Sequence, residues 1–154
     1  MKFKFLRAMW GMEGESFSSM FKKIADAGYD GIEIPSQREK NARVELKSLF
    51  RDLDWTVVGQ QWTGYFSDVS PQQHIQDFKT QLEQQVDVGV KMINCHTGKD
   101  HFSLADNLEI IDGIEAMAKE EGVKLVHEIH RGRSTFCINS WLKLTEERPD
   151  IRFT

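Results

Sequence analysis

The chain has 154 residues, 40% hydrophobic and 29% charged, with a formal net charge of -4 at pH 7. That length suits one domain with a sizeable core, and the composition is that of an ordinary soluble globular protein. The acidic balance argues against a nucleic-acid partner, which selects a basic face. The two cysteines, Cys95 and Cys137, lack CxxC spacing and read as buried thiols in a reducing compartment rather than a disulfide or zinc pair. The apolar stretch within residues 1–7 is too short for a signal peptide, and no run approaches the length of a membrane span. The expectation is a cytoplasmic protein with no membrane partner.

In chain order, residues 3–9 predict a first strand, followed by a loop holding Gly11 and Gly14. Ser16 reads as an N-cap, Phe17, Met20, Phe21, Ile24 and Ala25 share one helical stripe, and Gly28 stands where such a helix ends. Residues 29–35 predict a second strand closed by Pro35. A charged helix follows, with Val44, Leu49, Phe50 and Leu53 as its expected buried side. Residues 55–62 predict strand three. Ser70-Pro71 opens a helix with Ile75, Phe78, Leu82 and Val86 inward, and Gly89 closes it. His74 is expected on that helix's surface. Residues 90–96 predict strand four, turning at Thr97-Gly98, with His101 in the loop beyond. Ser103 and Asp106 form a capping box for a helix lined by Leu104, Leu108, Ile111, Ile114 and Ala118. After Gly122 comes strand five. Residues 136–147 predict a last helix with Trp141 and Leu142 inward, and residues 151–154 begin a sixth strand.

Five βα units with no linker or low-complexity tract imply parallel strands joined by helical crossovers. A doubly wound sheet would ordinarily show a glycine-rich phosphate turn, and the loop from Gly11 to Gly14 matches neither GxGxxG nor a P-loop. A (β/α)8 TIM barrel spends roughly 30 residues per unit over about 250 residues. At that rate the chain spans the first five βα units of a parallel barrel and the start of strand six.

Strand five carries the densest chemistry. Val123, Leu125 and Val126 predict a buried strand that delivers His127, Glu128, His130 and Arg131 at its far end before Gly132. Unpaired buried charges are costly, so such a cluster points to a metal or an anionic substrate. The competing reading is an ion pair of Glu128 with Arg131 or Arg133. Strand alternation puts Glu128 on one face with Val126 and His130, and turns His127 toward the helices. The string from His127 to His130 is not the zinc-protease motif, which needs histidines four apart on a helix.

Three segments, Ala27 to Ile34, Ile93 to Gly98 and Val126 to Arg133, resemble the xylose-isomerase-like TIM barrels, a superfamily of sugar phosphate isomerases and epimerases related to endonuclease IV. The glutamate-histidine-arginine stretch on strand five is the most specific of them. The resemblance implies a divalent metal, Mn, Mg, Zn or Co, at the C-terminal mouth of the barrel, with Glu128 as a ligand and possible base. It implies further ligands from strands six to eight, which lie past Thr154. In the endonuclease branch a histidine in a turn like that of His96 is a metal ligand. In the isomerase branch this position contacts substrate.

Around that mouth, His96 and Glu128 are the expected catalytic pair, and Trp10, Glu33, Trp62, His96, His130 and Arg131 the expected substrate contacts. Arg131 has the donors to grip a carboxylate, phosphate or hydroxyls, or to brace Glu128. Glu33 either orients a hydroxyl or pairs with Arg7. Trp10 and Trp62 either stack on a sugar or pack under the rim loops, and Gln60 and Gln61 suit hydroxyls. Cys95 reads as buried filler. The expected function is a metal-dependent sugar or sugar phosphate isomerase or epimerase acting on a small polyhydroxylated carbonyl compound. The alternatives are an endonuclease-IV-like phosphodiesterase, or an inactive barrel fragment. Open sheet edges predict a homo-oligomer, and the few available ligands predict weak metal binding without turnover from these residues alone.

Overall fold

The computed structural model describes residues 2–64 and 69–154. Ten elements alternate: β1 (Leu6–Ala8), α1 (Phe17–Asp26), β2 (Gly31–Pro35), α2 (Lys40–Arg51), β3 (Thr56–Trp62), α3 (Pro71–Asp87), β4 (Met92–His96), α4 (Leu104–Glu120), β5 (Lys124–His127) and α5 (Ile138–Glu147). The strands pair in sequence order, all parallel. Among the described residues that order never reverses, so it shows no switch point of the doubly wound kind, and α1 packs on α2, α3 on α4 and α4 on α5. The architecture is a segment of a (β/α)8 barrel wall. Phe153 bridges His127 in parallel, with His127 N donating to Arg152 O at 2.8 Å and Thr154 N to His127 O at 3.0 Å. A sixth strand therefore begins where its residues predict it.

Serine caps start three of the helices. Ser16 Oγ accepts from Ser19 N, while Ser70 with Gln73 and Ser103 with Asp106 form reciprocal capping boxes. The core lies between the helices and the outward face of the sheet, where Ile32, Ile34, Ile93 and Cys95 meet Phe21, Ile24, Leu46, Phe78 and Ile114. Among the described residues, no helix is long and apolar enough to cross a membrane.

Three expectations about helix faces need correction. Val44 is 58% exposed, and the inward stripe of α2 is Leu46, Leu49 and Phe50, continued by Leu53 just past its end, at spacings of three and four. Val44 lies two residues, about 200°, away from Leu46 on that wheel. In α5 Leu142 is 44% exposed and Leu144 is buried, three residues on from Trp141. His74 is fully buried, because it falls four residues before Phe78 on the same face of α3. Its Nδ1 is 3.1 Å from Thr63 Oγ1, and its ring stands edge-on to Phe102. A side chain at Gly64 (φ +54) would strike the ring at 2.0 Å, so the bare backbone there makes room for it.

Candidate metal and substrate site

The register decides which side chains reach the inner face of the sheet. Ala8 pairs with Glu33, Gln60 with Asn94, Trp62 with His96, and Asn94 with Val126. Partners in a parallel ladder point the same way, so Glu33, Gln60, Trp62, Asn94, His96 and, by alternation, Glu128 share the inner face toward the C-terminal end. Arg7 instead pairs with Ile32, whose side chain is buried in the helix layer. The Arg7–Glu33 pair does not form: Arg7 bonds the carbonyls of Ala8 and Trp10. Gln61 likewise faces the helices, donating to Gln85 Oε1 at 2.8 Å, and is absent from the mouth.

At that end the structure gathers donors from β4 and the segment after β5. One ligand atom each from His96, Glu128 and His130 lies within 4.8 Å of the others. His96 Nε2 is 2.9 Å from Glu128 Oε2, yet the approach lacks hydrogen-bond alignment and the buried nitrogen has no partner. An unsatisfied buried nitrogen facing a carboxylate is what a cation between them would resolve. Burial pushes the His96 imidazole below its ordinary range, although Glu128 pulls the other way, which favours the neutral ring that ligates metals. His130 Nδ1 donates to Arg131 O at 2.7 Å, leaving Nε2 of the neutral ring with a free lone pair. A ring nitrogen anchored to a backbone carbonyl is the usual support for a metal-binding histidine. The donor set therefore fits a divalent ion.

Asn94, which the sequence reading passed over, ties the cluster together. Its Nδ2 donates to Glu128 Oε2 at 2.7 Å and to Glu33 Oε1 at 3.3 Å. The signal was available, since Asn94 precedes His96 by two on an alternating strand. Burial raises the Glu33 carboxyl above its ordinary range, the Asn94 bond opposes that, and the Glu128 charge adds to it. On the other side, aromatic rings form a row: Trp10 edge-on to Trp62 at 5.3 Å, Trp62 edge-on to His96 at 5.9 Å, and His96 stacked on His130 at 4.4 Å.

Arg131 is exposed and makes no ion pair with Glu128; its only bond to the cluster is through its backbone carbonyl. The buried guanidinium is that of Arg133, whose Nη1 donates to Thr63 O at 2.6 Å and ties the β3 and β5 ends together. Neither arginine pairs with Glu128. His127 points to the helix layer, with Nδ1 2.8 Å from Thr97 Oγ1 and Nε2 3.2 Å from Glu115 Oε1. It thereby holds the turn next to His96 against α4. Burial pushes the Cys95 thiol up to about 11, as expected of an inert core thiol, whereas Cys137, expected to be buried as well, is exposed just before α5, and His101 is exposed.

A wall of parallel strands that gathers His96, Glu128 and His130 at its C-terminal end has the architecture of part of a TIM barrel, in which functional sites lie at that end. The profile described as xylose isomerase-like TIM barrel matches residues 21–151, and the chain belongs to that family. No curated protein sequence matches it. Among solved structures it is similar to the probable 3-DHS dehydratase AsbF of Bacillus anthracis (TM-score 0.72, 15% identity, 99% of this chain and 62% of that one). It is also similar to a D-tagatose 3-epimerase-like protein (0.70, 21% identity, 97% and 61%). An AP endonuclease, family 2, of Brucella melitensis is a third such structure (0.65, 13% identity, 99% and 68%). At these identities the likeness is one of fold. The chain spans about three fifths of the length of the first two.

Proposed function

We propose that this chain contributes the β1–β5 half of the active site of a metal-dependent isomerase or epimerase acting on a small polyhydroxylated carbonyl compound. The observation that supports it is the convergence of His96, Glu128 and His130 at the strand ends, with one buried nitrogen unsatisfied. These three residues would hold the ion. The chemistry such an ion supplies when bound is Lewis acidity toward a carbonyl oxygen.

The remaining roles fall to this chain's own groups. Asn94 orients the Glu128 carboxylate. Glu33, its carboxyl raised by burial, is placed to hold a proton and exchange it with the carbon next to the carbonyl. His96 and Trp62 form one wall against which the substrate lies, and Gln60 presents a neutral amide beside them.

The test begins with the metal. Mn2+ titrated calorimetrically into the chain should bind, and Glu128→Gln, which keeps the side-chain shape, should preserve the circular dichroism spectrum while weakening binding at least about tenfold. Unchanged affinity would remove Glu128 from the site. Function is then read by NMR as exchange of the proton next to the carbonyl of small ketoses with solvent deuterium, in a protein that includes the remaining strands. Cleavage of an abasic-site oligonucleotide without such exchange would replace this reading with the phosphodiesterase one.

A further inference from the structure

Next to the donor cluster lies a cleft of about 180 Å³ that the proton exchange above does not use. Its walls come from four segments, one of them the end of β2 at Pro35. The turn after β1 supplies Met9, Trp10 and Met12, α1 supplies Met20, and the end of β3 supplies Gln60 and Trp62. Gly11, at φ +75, lets that turn fold Met12 back into the core. Trp10 Nε1 donates to Gln60 Oε1 at 3.1 Å, so apart from the Gln60 amide nitrogen and the Glu13 carboxylate the lining is apolar. Thioethers pack well against aromatic rings, and three of them meet two indoles here.

Size and chemistry narrow the occupant. An apolar cavity of about 150 Å³ takes one benzene-sized ring, so this cleft has room for one six-membered ring. A ring bearing several hydroxyls would find too few partners among methionines and indoles to replace its bonds to water. An anionic ring would meet the carboxylate of Glu13 at the rim. An uncharged apolar ring is what remains. The cleft adjoins the donor cluster, because Trp62, which lines it and stands edge-on to Trp10, also stands edge-on to His96.

We infer that the substrate carries an uncharged, planar, apolar ring at the end away from its carbonyl, and that the cleft between Trp10 and Trp62 holds this ring. The inference rests on the reading of His96, Glu128 and His130 as the polar end of the same site. One molecule then spans both, its oxygen-rich end among the donors and its ring against Trp62.

The six methionines give a direct readout. In the 154-residue chain with carbon-13-labelled methionine methyls, phenol, neutral at pH 7, should shift Met9, Met12 and Met20 by its ring current. Met92 and Met117 should stay in place, and D-erythrose should shift none of the five. Trp10 is half-exposed, so Trp10→Ala should fold and weaken phenol binding about tenfold. Still methyls at Met9, Met12 and Met20, equal shifts at Met92 and Met117, or an unchanged affinity in Trp10→Ala would each overturn the inference. Mn2+ calorimetry on the same sample separates the two readings. Methionine shifts without Mn2+ binding retain the ring site and refute the metal assignment; Mn2+ binding without the shifts does the reverse.

Discussion

Glu33, half-buried on β2, and His74, buried on α3, both respond to pH, in ways that differ by sign and position. The Glu33 carboxyl is raised by burial and by the charge of Glu128, so the folded chain binds this proton more tightly than the unfolded one. Its contribution to stability is therefore greatest at low pH and is lost as pH rises through the folded value. Glu33→Gln should raise the urea midpoint at pH 7 and leave it unchanged at pH 3, where the carboxyl is protonated in both states. A lower midpoint at pH 7 would mean that Asn94 outweighs the burial. His74 behaves differently, since burial first, then the charges of Arg133 and Lys99, lowers it to about 4. Its neutral ring stabilises the fold fully above about pH 6.5, and that stability drains away as pH falls toward 4, by on the order of 3 kcal/mol. His74→Phe fills similar space and cannot take up the proton. Its loss of stability between pH 6.5 and 4, followed by urea unfolding, should be visibly flatter; an identical slope would assign the acid sensitivity to His96 or other groups.

Between elements, close approach of backbones governs the sheet. At Gly31 a Cβ would lie 1.9 Å from Thr56 O and 2.7 Å from Leu6 Cδ2, which is where β1, β2 and β3 meet. Gly31→Ala should therefore push the strands apart and cost about 1–3 kcal/mol or more, read as a lower melting temperature with early hydrogen exchange in β1. A variant as stable as the parent would show that the sheet relaxes freely there. Gly59 follows the same logic with a side chain in place of backbone. Its missing Cβ admits Gln85 of α3, which donates to Gln60 O at 3.0 Å and accepts from Gln61. A buried glutamine thus clips α3 to β3, and Gln61 is occupied on the helix side of the sheet.

At the scale of the whole molecule the sheet is open. Among the described residues β1 pairs only with β2, while Phe3 and Phe5 beside it are 67% and 69% exposed. An uncovered strand edge with apolar neighbours is a template for pairing with another chain. We expect the 154-residue chain to associate with itself as concentration rises, seen as a rising mass in sedimentation equilibrium. Phe5→Lys should reduce that association without unfolding the chain. A strictly monomeric species at all concentrations would mean that the edge is protected by another route.

The sequence alone determined the order and type of the elements, because each carries its own local signal. Serine caps, glycines after helices and runs of Val and Ile act within a few residues and need no tertiary partner. It also marked Glu128, His96 and the two tryptophans, since strand alternation and position at strand ends follow from local periodicity. Helix faces were legible only where the stripe was read consistently, as the errors at Val44, Leu142 and His74 show. What only the tertiary structure decided was pairing across strands. Asn94 bridging Glu33 and Glu128, Arg133 rather than Arg131 being the buried guanidinium, and Arg7 turning from Glu33 all depend on register between segments 25 to 70 residues apart. No local pattern encodes such distances. They arise when parallel strands lock side by side and bring distant side chains onto one face.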